Sequence, residues 1–159
     1  MTFQNNVAVQ LSAGVYYFDT LTLSGSAQLI LPASGNVQIY ILNASGNSTP
    51  LNFTGGSVTN TAADPSKLTF LYNGTNNVSI ASISNNAFYG TIYAPNAPVT
   101  FSANGAIYGA VMSKTIYITN GGHLYYDADL ANTTSGFQTY QSSPGGATFA
   151  ITQFSWTPW

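Results

Sequence analysis

The residues able to carry acid, base or metal chemistry are few. His123, Asp127 and Asp129 place one imidazole and two carboxylates close together in the sequence. Such groups can bind a metal ion or share a proton. Their spacing is loose, however, and there is no second histidine, so they form only a weak candidate metal site. We interpret them as the polar end of a repeat, and we expect no catalytic residue and no cofactor.

One hypothesis for the function of this chain is a carbohydrate-active enzyme built on a β-helix. Enzymes of this kind use clustered carboxylates, or Arg and Lys that stabilise developing charge. This chain has only four Asp residues, of which Asp19 and Asp64 stand alone, and it has no Arg. The alternative therefore requires folding to bring at least two Asp residues into one cleft. We expect instead that the chain is not an enzyme.

The amino-acid composition excludes several other classes of function. Charged residues are 4% of the chain, against roughly 25% in ordinary globular domains, whereas 45% of the residues are hydrophobic. The net charge of −2 and the absence of a basic cluster argue against nucleic acid and anionic membrane surfaces. No run of about 20 apolar residues is present, so we expect no membrane span. The polar surface must be built from Asn, Thr, Ser, Gln and Gly.

The apolar residues follow a repeat. Each unit is an apolar–polar–apolar triplet, then a polar turn, then a second apolar stretch. Three clear units begin at residues 78–80, 99–101 and 116–118, at spacings of about 17 to 21 residues. Two looser units begin at residues 21–23 and 51–53. Alternation over three to five positions is the period of a β-strand, and Asn-Gly, Gly-Gly and Ser-Gly supply the turns.

One short coil cannot bury its own apolar side, but stacked coils can. The sequence therefore predicts an all-β fold, a right-handed parallel β-helix (solenoid) of about five short coils. Its inward ladder is predicted to comprise Leu21/Leu23, Leu51/Phe53, Val78/Ile80, Val99/Phe101 and Ile116/Ile118. Its outward ladder, a candidate binding surface, comprises Thr22, Asn52, Ser79, Thr100 and Tyr117. Residues 54–67 are predicted to form a protruding loop.

The C-terminal part of the chain breaks the repeat. We assign residues 1–130 to the solenoid and residues 131–159 to a polar linker followed by an aromatic strand. That strand is expected to cap the solenoid, whose end would otherwise expose unpaired edges. Docking onto a partner is the alternative role of its apolar residues, which are Phe149, Ile151, Phe154, Trp156 and Trp159.

Several motifs in this order resemble a known family. They are Leu11–Phe18, Leu21–Gly25, Asp64–Thr69, Phe88–Ala97, Tyr108–Val111, Gly121–His123 and Tyr126–Asp127. The chain is similar over roughly residues 7–130 to the domain of unknown function found in PilX-like pilus-assembly proteins and related bacterial surface proteins. The resemblance implies an exported β-solenoid attached to pilus-like or envelope machinery, and it implies no catalytic residues.

These observations predict a non-enzymatic structural or adhesive module at the bacterial cell surface. Residues 1–4 have neither the basic nor the apolar region of a signal peptide, so we expect the chain to be part of a larger or processed exported protein. The expected partners are the chain itself, other pilus or envelope proteins, or glycans. An ice-binding β-solenoid is the first alternative, because such proteins share short coils, low charge and flat polar faces.

Overall fold

The computed structural model describes residues 1–81, 87–102 and 105–132. Within those ranges the chain consists of β-strands, turns and two short 3-10 helices, without an α-helix. The strands are β1 (Thr2–Phe3), β2 (Ala8–Gln10), β3 (Gly14–Phe18), β4 (Leu21–Ser24), β5 (Gln28–Ile30), β6 (Val37–Ile41), β7 (Leu51–Thr54), β8 (Ser57–Thr59), β9 (Leu68–Tyr72), β10 (Val78–Ile80), β11 (Phe88–Ser102), β12 (Ala106–Thr119) and β13 (His123–Tyr126). The 3-10 helices are Pro65–Lys67 and Ala128–Asn132.

The named strands pair in parallel and form three faces of a solenoid. Face A stacks β1, β4, β7 and β10, followed by residues 98–102 of β11 and 115–119 of β12. Face B contains β2, β5 and β8, and later residues 88–90 of β11 and 106–109 of β12 with β13. Face C stacks β3, β6 and β9 with the middle parts of β11 and β12. The predicted parallel β-helix is confirmed, and the five rungs of face C agree with the prediction of about five coils.

The long strands β11 and β12 each pass from one face to the next. Their mutual register shifts between Ala94 and Pro98, where the chain turns from face C to face A. A register shift of this kind bends a strand while the flanking pairs are kept. The backbone of β12 is also constrained at Gly109, whose φ is +144°. A Cβ atom at this position would collide with the carbonyl oxygen of Gly90 on the adjacent rung, so the close approach requires glycine.

The core is made of two columns of inward side chains on face A. One column contains Leu21, Leu51, Val78 and Val99, and the other contains Leu23, Phe53, Ile80 and Phe101. Each of these eight side chains is at most 2% exposed. The Phe53 ring also meets Phe70 of face C edge to face, with ring centroids 5.8 Å apart. Side chains from different faces therefore meet in one core, as the sequence pattern predicts.

The last rung of this ladder differs from the others. Ile116 and Ile118 continue the two columns in register with Val99 and Phe101. They are nevertheless 38% and 44% exposed. An inward position is buried only where a further rung covers it, and among the described residues none covers this strand.

The predicted protruding loop at residues 54–67 is wrong in part. Ser57–Thr59 forms strand β8, which pairs with β5 and extends face B. A single apolar residue, Val58, points inward there and stacks in register with Leu29. One apolar residue between Ser and Thr is too short an alternation to be recognised as a strand from sequence. After it, Asp64 accepts a hydrogen bond from the Ser66 backbone and caps the 3-10 helix that follows.

Polar side chains are also buried inside the solenoid wall. The Thr91 hydroxyl lies 2.8 Å from the Thr69 hydroxyl and 3.2 Å from the Leu68 carbonyl oxygen, within hydrogen-bond distance of both. Thr69 and Thr91 are 1% and 0% exposed. Because a buried hydroxyl is costly only when it lacks a partner, this pair is compatible with a tightly packed face C.

The core columns give a direct stability prediction. Ile80→Ala should lower the free energy of unfolding by about 2–5 kcal/mol, because it removes a fully buried side chain and leaves a cavity. Ser79→Ala on the same strand faces outward and should change it by less than about 0.5 kcal/mol. Denaturant unfolding followed by circular dichroism measures both. Equal losses in the two variants would contradict the assignment of inward and outward positions.

Candidate functional site

The His123, Asp127 and Asp129 side chains do not form a cluster. His123 begins β13 and is exposed, with its ring centroid 6.0 Å from that of Tyr125. Asp127 accepts a hydrogen bond of 3.0 Å from the Asp129 backbone N–H at the start of the second 3-10 helix. Among the described residues, no three His, Cys, Asp or Glu side chains lie together in a way that could hold a metal ion. Asp127 therefore has a structural role as a cap.

The two remaining carboxylates also accept hydrogen bonds from backbone N–H groups, Asp64 within its own turn and Asp19 from the neighbouring coil. Asp19 accepts hydrogen bonds from the hydroxyl and the backbone N–H of Ser45, the latter at 3.1 Å, and these bonds hold the pKa of its carboxyl below the ordinary value. Asp64 accepts from the backbone N–H of Ser66 at 2.9 Å. Each carboxylate is thus oriented towards a backbone donor. The bond of Asp64 has the usual arrangement of a capping residue, whereas that of Asp19 connects two coils.

The predicted outward ladder is brought together as one row on face A. Thr22, Asn52, Ser79, Thr100 and Tyr117 are aligned in register from β4 to β12. Parallel strands place successive members about 4.8 Å apart. The first four are partly buried among their neighbours, and Tyr117 is 53% exposed. We call this central row, with Thr2 at its start, the polar row.

A second row runs beside the polar row and was not identified from the sequence. Ser24 is in register with Thr54, and Ser102 is in register with Thr119. These residues lie two positions after members of the polar row, so they point to the same side of the sheet. The signal was present as a Ser or Thr after four of the five apolar–polar–apolar triplets, whereas Val78–Ile80 is followed by Ala81. Face A is consequently a broad surface of hydroxyl and amide groups.

Hydrogen bonds between rungs hold several of these groups in place. The Thr100 hydroxyl lies 3.1 Å from the Asn77 side-chain oxygen, to which it donates. The Asn120 side-chain nitrogen donates to the Ser102 hydroxyl at 3.0 Å. The Thr119 hydroxyl donates to a carbonyl oxygen of the adjacent strand at 3.3 Å. Such bonds fix side-chain rotamers, so a partner would lose less conformational entropy on binding to this face.

Face B carries a stack of tyrosine rings in its later coils. Tyr89, Tyr108 and Tyr125 are in register, with centroids 5.0 Å apart at both steps. The planes of neighbouring rings are inclined by 12° and 14°. The Tyr108 ring therefore has a neighbouring ring on each side. The sequence indicated that tyrosines occupy strand positions but not that three of them form one column.

Face C carries an aromatic row and a groove. Tyr17 and Tyr40 stack with centroids 5.1 Å apart, and Leu71 and Tyr93 continue their row. A groove of about 290 Å³ lies between Tyr40 and Tyr93, and Leu42 also contributes to its lining. Burial raises the pKa of the Tyr93 hydroxyl. The groove is largely apolar, so any ligand there would have to offer an apolar surface.

Corner amides adjoin this groove. Asn73 lines it and accepts a side-chain hydrogen bond from Asn96 at 3.0 Å. Asn43 donates to the Tyr72 hydroxyl at 3.2 Å on the neighbouring coil. These bonds connect successive coils at the corner between face C and face A. They leave amide groups beside an apolar groove, which is the combination found in many small-ligand sites.

The predicted docking residues Phe149, Ile151, Phe154, Trp156 and Trp159 lie outside the described residues, as does most of the segment 131–159. Its first two residues complete the 3-10 helix Ala128–Asn132. Among the described residues, no helix is long and apolar enough to cross a membrane.

The geometry defines a parallel β-solenoid with outer faces made of in-register rows. The chain belongs to the family described as Domain of unknown function (DUF7305), whose model matches residues 20–133. The predicted resemblance to a domain of unknown function is therefore confirmed at the level of this family. Searches among curated proteins and among solved structures found no match.

The tyrosine column gives a second stability prediction. Tyr108→Ala should lower the free energy of unfolding by about 1–3 kcal/mol, since two ring pairs of about 0.5–1.5 kcal/mol each are removed. Tyr108→Phe keeps the ring and should retain most of the stability. Tyr117→Ala provides a control at a more exposed tyrosine of β12. Chemical denaturation measures all three, and a loss in Tyr108→Phe as large as in Tyr108→Ala would refute a role for ring stacking.

Proposed function

We propose that this chain is a non-enzymatic structural or adhesive module of a bacterial cell surface, associated with a pilus or another envelope assembly. The observation that carries the proposal is the polar row, which continues in register across the solenoid from Thr2 to Tyr117. Such a surface presents the same kind of group repeatedly at a fixed spacing. It suits an extended contact made of many weak hydrogen bonds better than the binding of one small substrate.

The chemistry of the outer faces favours neutral partners. Face A offers hydroxyl and amide groups, and the composition supplies only six charged side chains in the whole chain. Uncharged contacts of this kind suit neutral glycans and the polar surfaces of other envelope proteins. The groove between Tyr40 and Tyr93 supports a glycan in particular, because aromatic rings can pack against apolar sugar faces beside the Asn73 amide.

The proposed association with a pilus or envelope assembly rests on sequence similarity and not on the chemistry of the outer faces. It comes from the similarity of the motifs to PilX-like and related surface proteins described above. The same similarity and the uncharged, Asn- and Thr-rich composition are the support for proposing an exported location. Self-assembly through the ends of the solenoid is an extension of this proposal, since unpaired strand edges can pair with another copy.

Substitution of the polar row tests the adhesive role. A variant carrying Thr22→Lys, Asn52→Lys and Thr100→Lys should lose binding to immobilised bacterial envelopes or to an array of neutral glycans. The reason is that three ammonium groups would have to be desolvated in an uncharged contact. Gln10→Lys with Gln28→Lys adds charge to exposed positions of face B and should retain binding. Surface retention at low and high salt is the measurement.

The salt series also separates specific from electrostatic binding. Binding by the unmodified protein should be nearly independent of ionic strength, because screening weakens only charge–charge contacts. Undiminished retention of the Thr22/Asn52/Thr100 variant, or equal loss in the face B control, would contradict adhesion through face A. Turnover of a glycan by the purified protein would contradict the non-enzymatic assignment.

An ice-binding function is the second candidate, and the second row on face A favours it. Rows of hydroxyls such as Ser24 and Thr54 beside Thr22 could order water at a regular spacing. The amide of Asn52 and the ring of Tyr117 interrupt that regularity. Thermal hysteresis at high protein concentration, abolished by Thr22→Lys with Thr100→Lys, would support this candidate. Absence of hysteresis in the unmodified protein would remove it.

A further inference from the structure

The C-terminal end of the solenoid exposes side chains at positions that are buried in the earlier coils. Ile116 and Ile118 are 38% and 44% exposed, although Val99 and Phe101 directly before them in the same columns are 0% and 1% exposed. Leu124 of β13, on the same final coil, is only partly buried against the core. The end therefore presents an apolar surface in line with the core columns.

The backbone at this end is also incompletely paired. Residues 115–119 of β12 pair on one side with residues 98–102 of β11. Strand β13 pairs with a different part of β12, residues 106–109. Within the described part of the chain, the other edge of residues 115–119 thus has no paired strand. A free edge beside exposed apolar side chains is a template for one more strand.

The sequence contains a segment that matches this template. Thr148-Phe149-Ala150-Ile151-Thr152 repeats the pattern of Thr115-Ile116-Tyr117-Ile118-Thr119, with two apolar residues in alternation between threonines. The final rung of face B, His123–Tyr126, is followed by the 3-10 helix Ala128–Asn132. Residues 133–147 could span at most about 50 Å if extended, which is ample to return to the edge of β12.

The length of the intervening chain agrees with coils elsewhere in the molecule. Leu21 and Leu51 occupy successive rungs of face A and are 30 positions apart. Ile116 and Phe149 are 33 positions apart. A coil of nearly this length is therefore already used once in this solenoid.

We infer that residues 148–152 bind in parallel to the free edge of residues 115–119 of the same chain, as a further rung of face A. In this register Phe149 covers Ile116, Ile151 covers Ile118, and Ala150 lies beside Tyr117 on the outside. The segment closes both the apolar end and the unpaired edge. This inference does not depend on the proposed adhesion through the outer faces, but it would leave only the opposite end of the solenoid open to the self-assembly proposed above.

Hydrogen exchange in the full chain tests the strand pairing. In the unmodified protein, amides of residues 115–119 that do not bond to residues 98–102 should be protected. Phe149→Asp with Ile151→Asp should abolish that protection, because two carboxylates cannot be buried against the core. Ala150→Asp in the same segment points outward in the inferred register and should keep it. Amides of Val78–Ile80 should stay protected in every variant, which shows that the solenoid itself remains folded.

A cross-link identifies the occupant. The chain has no cysteine, so Tyr117→Cys with Ala150→Cys creates a unique pair for a short bis-maleimide. The expected product is an internally cross-linked monomer, and Tyr117→Cys with Thr139→Cys is the control that should react poorly. A cross-linked dimer would overturn the inference and assign the edge to a second copy. Absence of any cross-link, or unprotected edge amides in the unmodified protein, would overturn it as well.

Discussion

An inward side chain of this solenoid is buried where the same position of an adjacent coil lies about 4.8 Å away on both sides along the axis. The columns from Leu21 to Val99 and from Leu23 to Phe101 show the effect, since all their members are at most 2% exposed. Stability in such an array is approximately a sum of terms between neighbouring coils. A coil with one neighbour consequently gains about half of the inter-coil stabilisation of an internal coil. The partial exposure of Ile116 and Ile118 is the structural sign of this difference.

The same stacking of coils explains why the chain contains so few charged side chains. A charged residue repeated in register would face a like charge on the next rung, which is destabilising. Neutral amides and hydroxyls avoid this repulsion and can bond along the column, as Asn96 does to Asn73 at 3.0 Å and Thr100 does to Asn77 at 3.1 Å. Only six charged residues occur. The carboxylates of Asp64 and Asp127 cap local backbone groups, and that of Asp19 accepts from a turn of the neighbouring coil. Their use in turns leaves the faces uncharged.

The periodic parts of the fold could be predicted from sequence, and the corners could not. The triplets at Leu21, Leu51, Val78, Val99 and Ile116 share the apolar–polar–apolar pattern, and aligning that pattern predicted the observed register. Strand β8 has a single inward apolar residue and was missed for that reason. The tyrosine column and the groove on face C were missed because both depend on which coils become neighbours after turns of unequal length. The residues of a candidate site therefore followed from sequence only where they belong to a regular repeat.

The tyrosine column restricts how face B can make contacts. Because Tyr108 lies between Tyr89 and Tyr125, both of its ring faces are directed at other rings. Only a ring at the end of the column, such as Tyr125, which is 49% exposed, can offer a face to a sugar or to another aromatic ring. The internal rings offer edges and hydroxyls, so along most of its length this column would act on a partner as a row of hydrogen-bonding groups. In this respect face B resembles the polar row of face A, and aromatic stacking on a ligand is better served by the groove beside Tyr40.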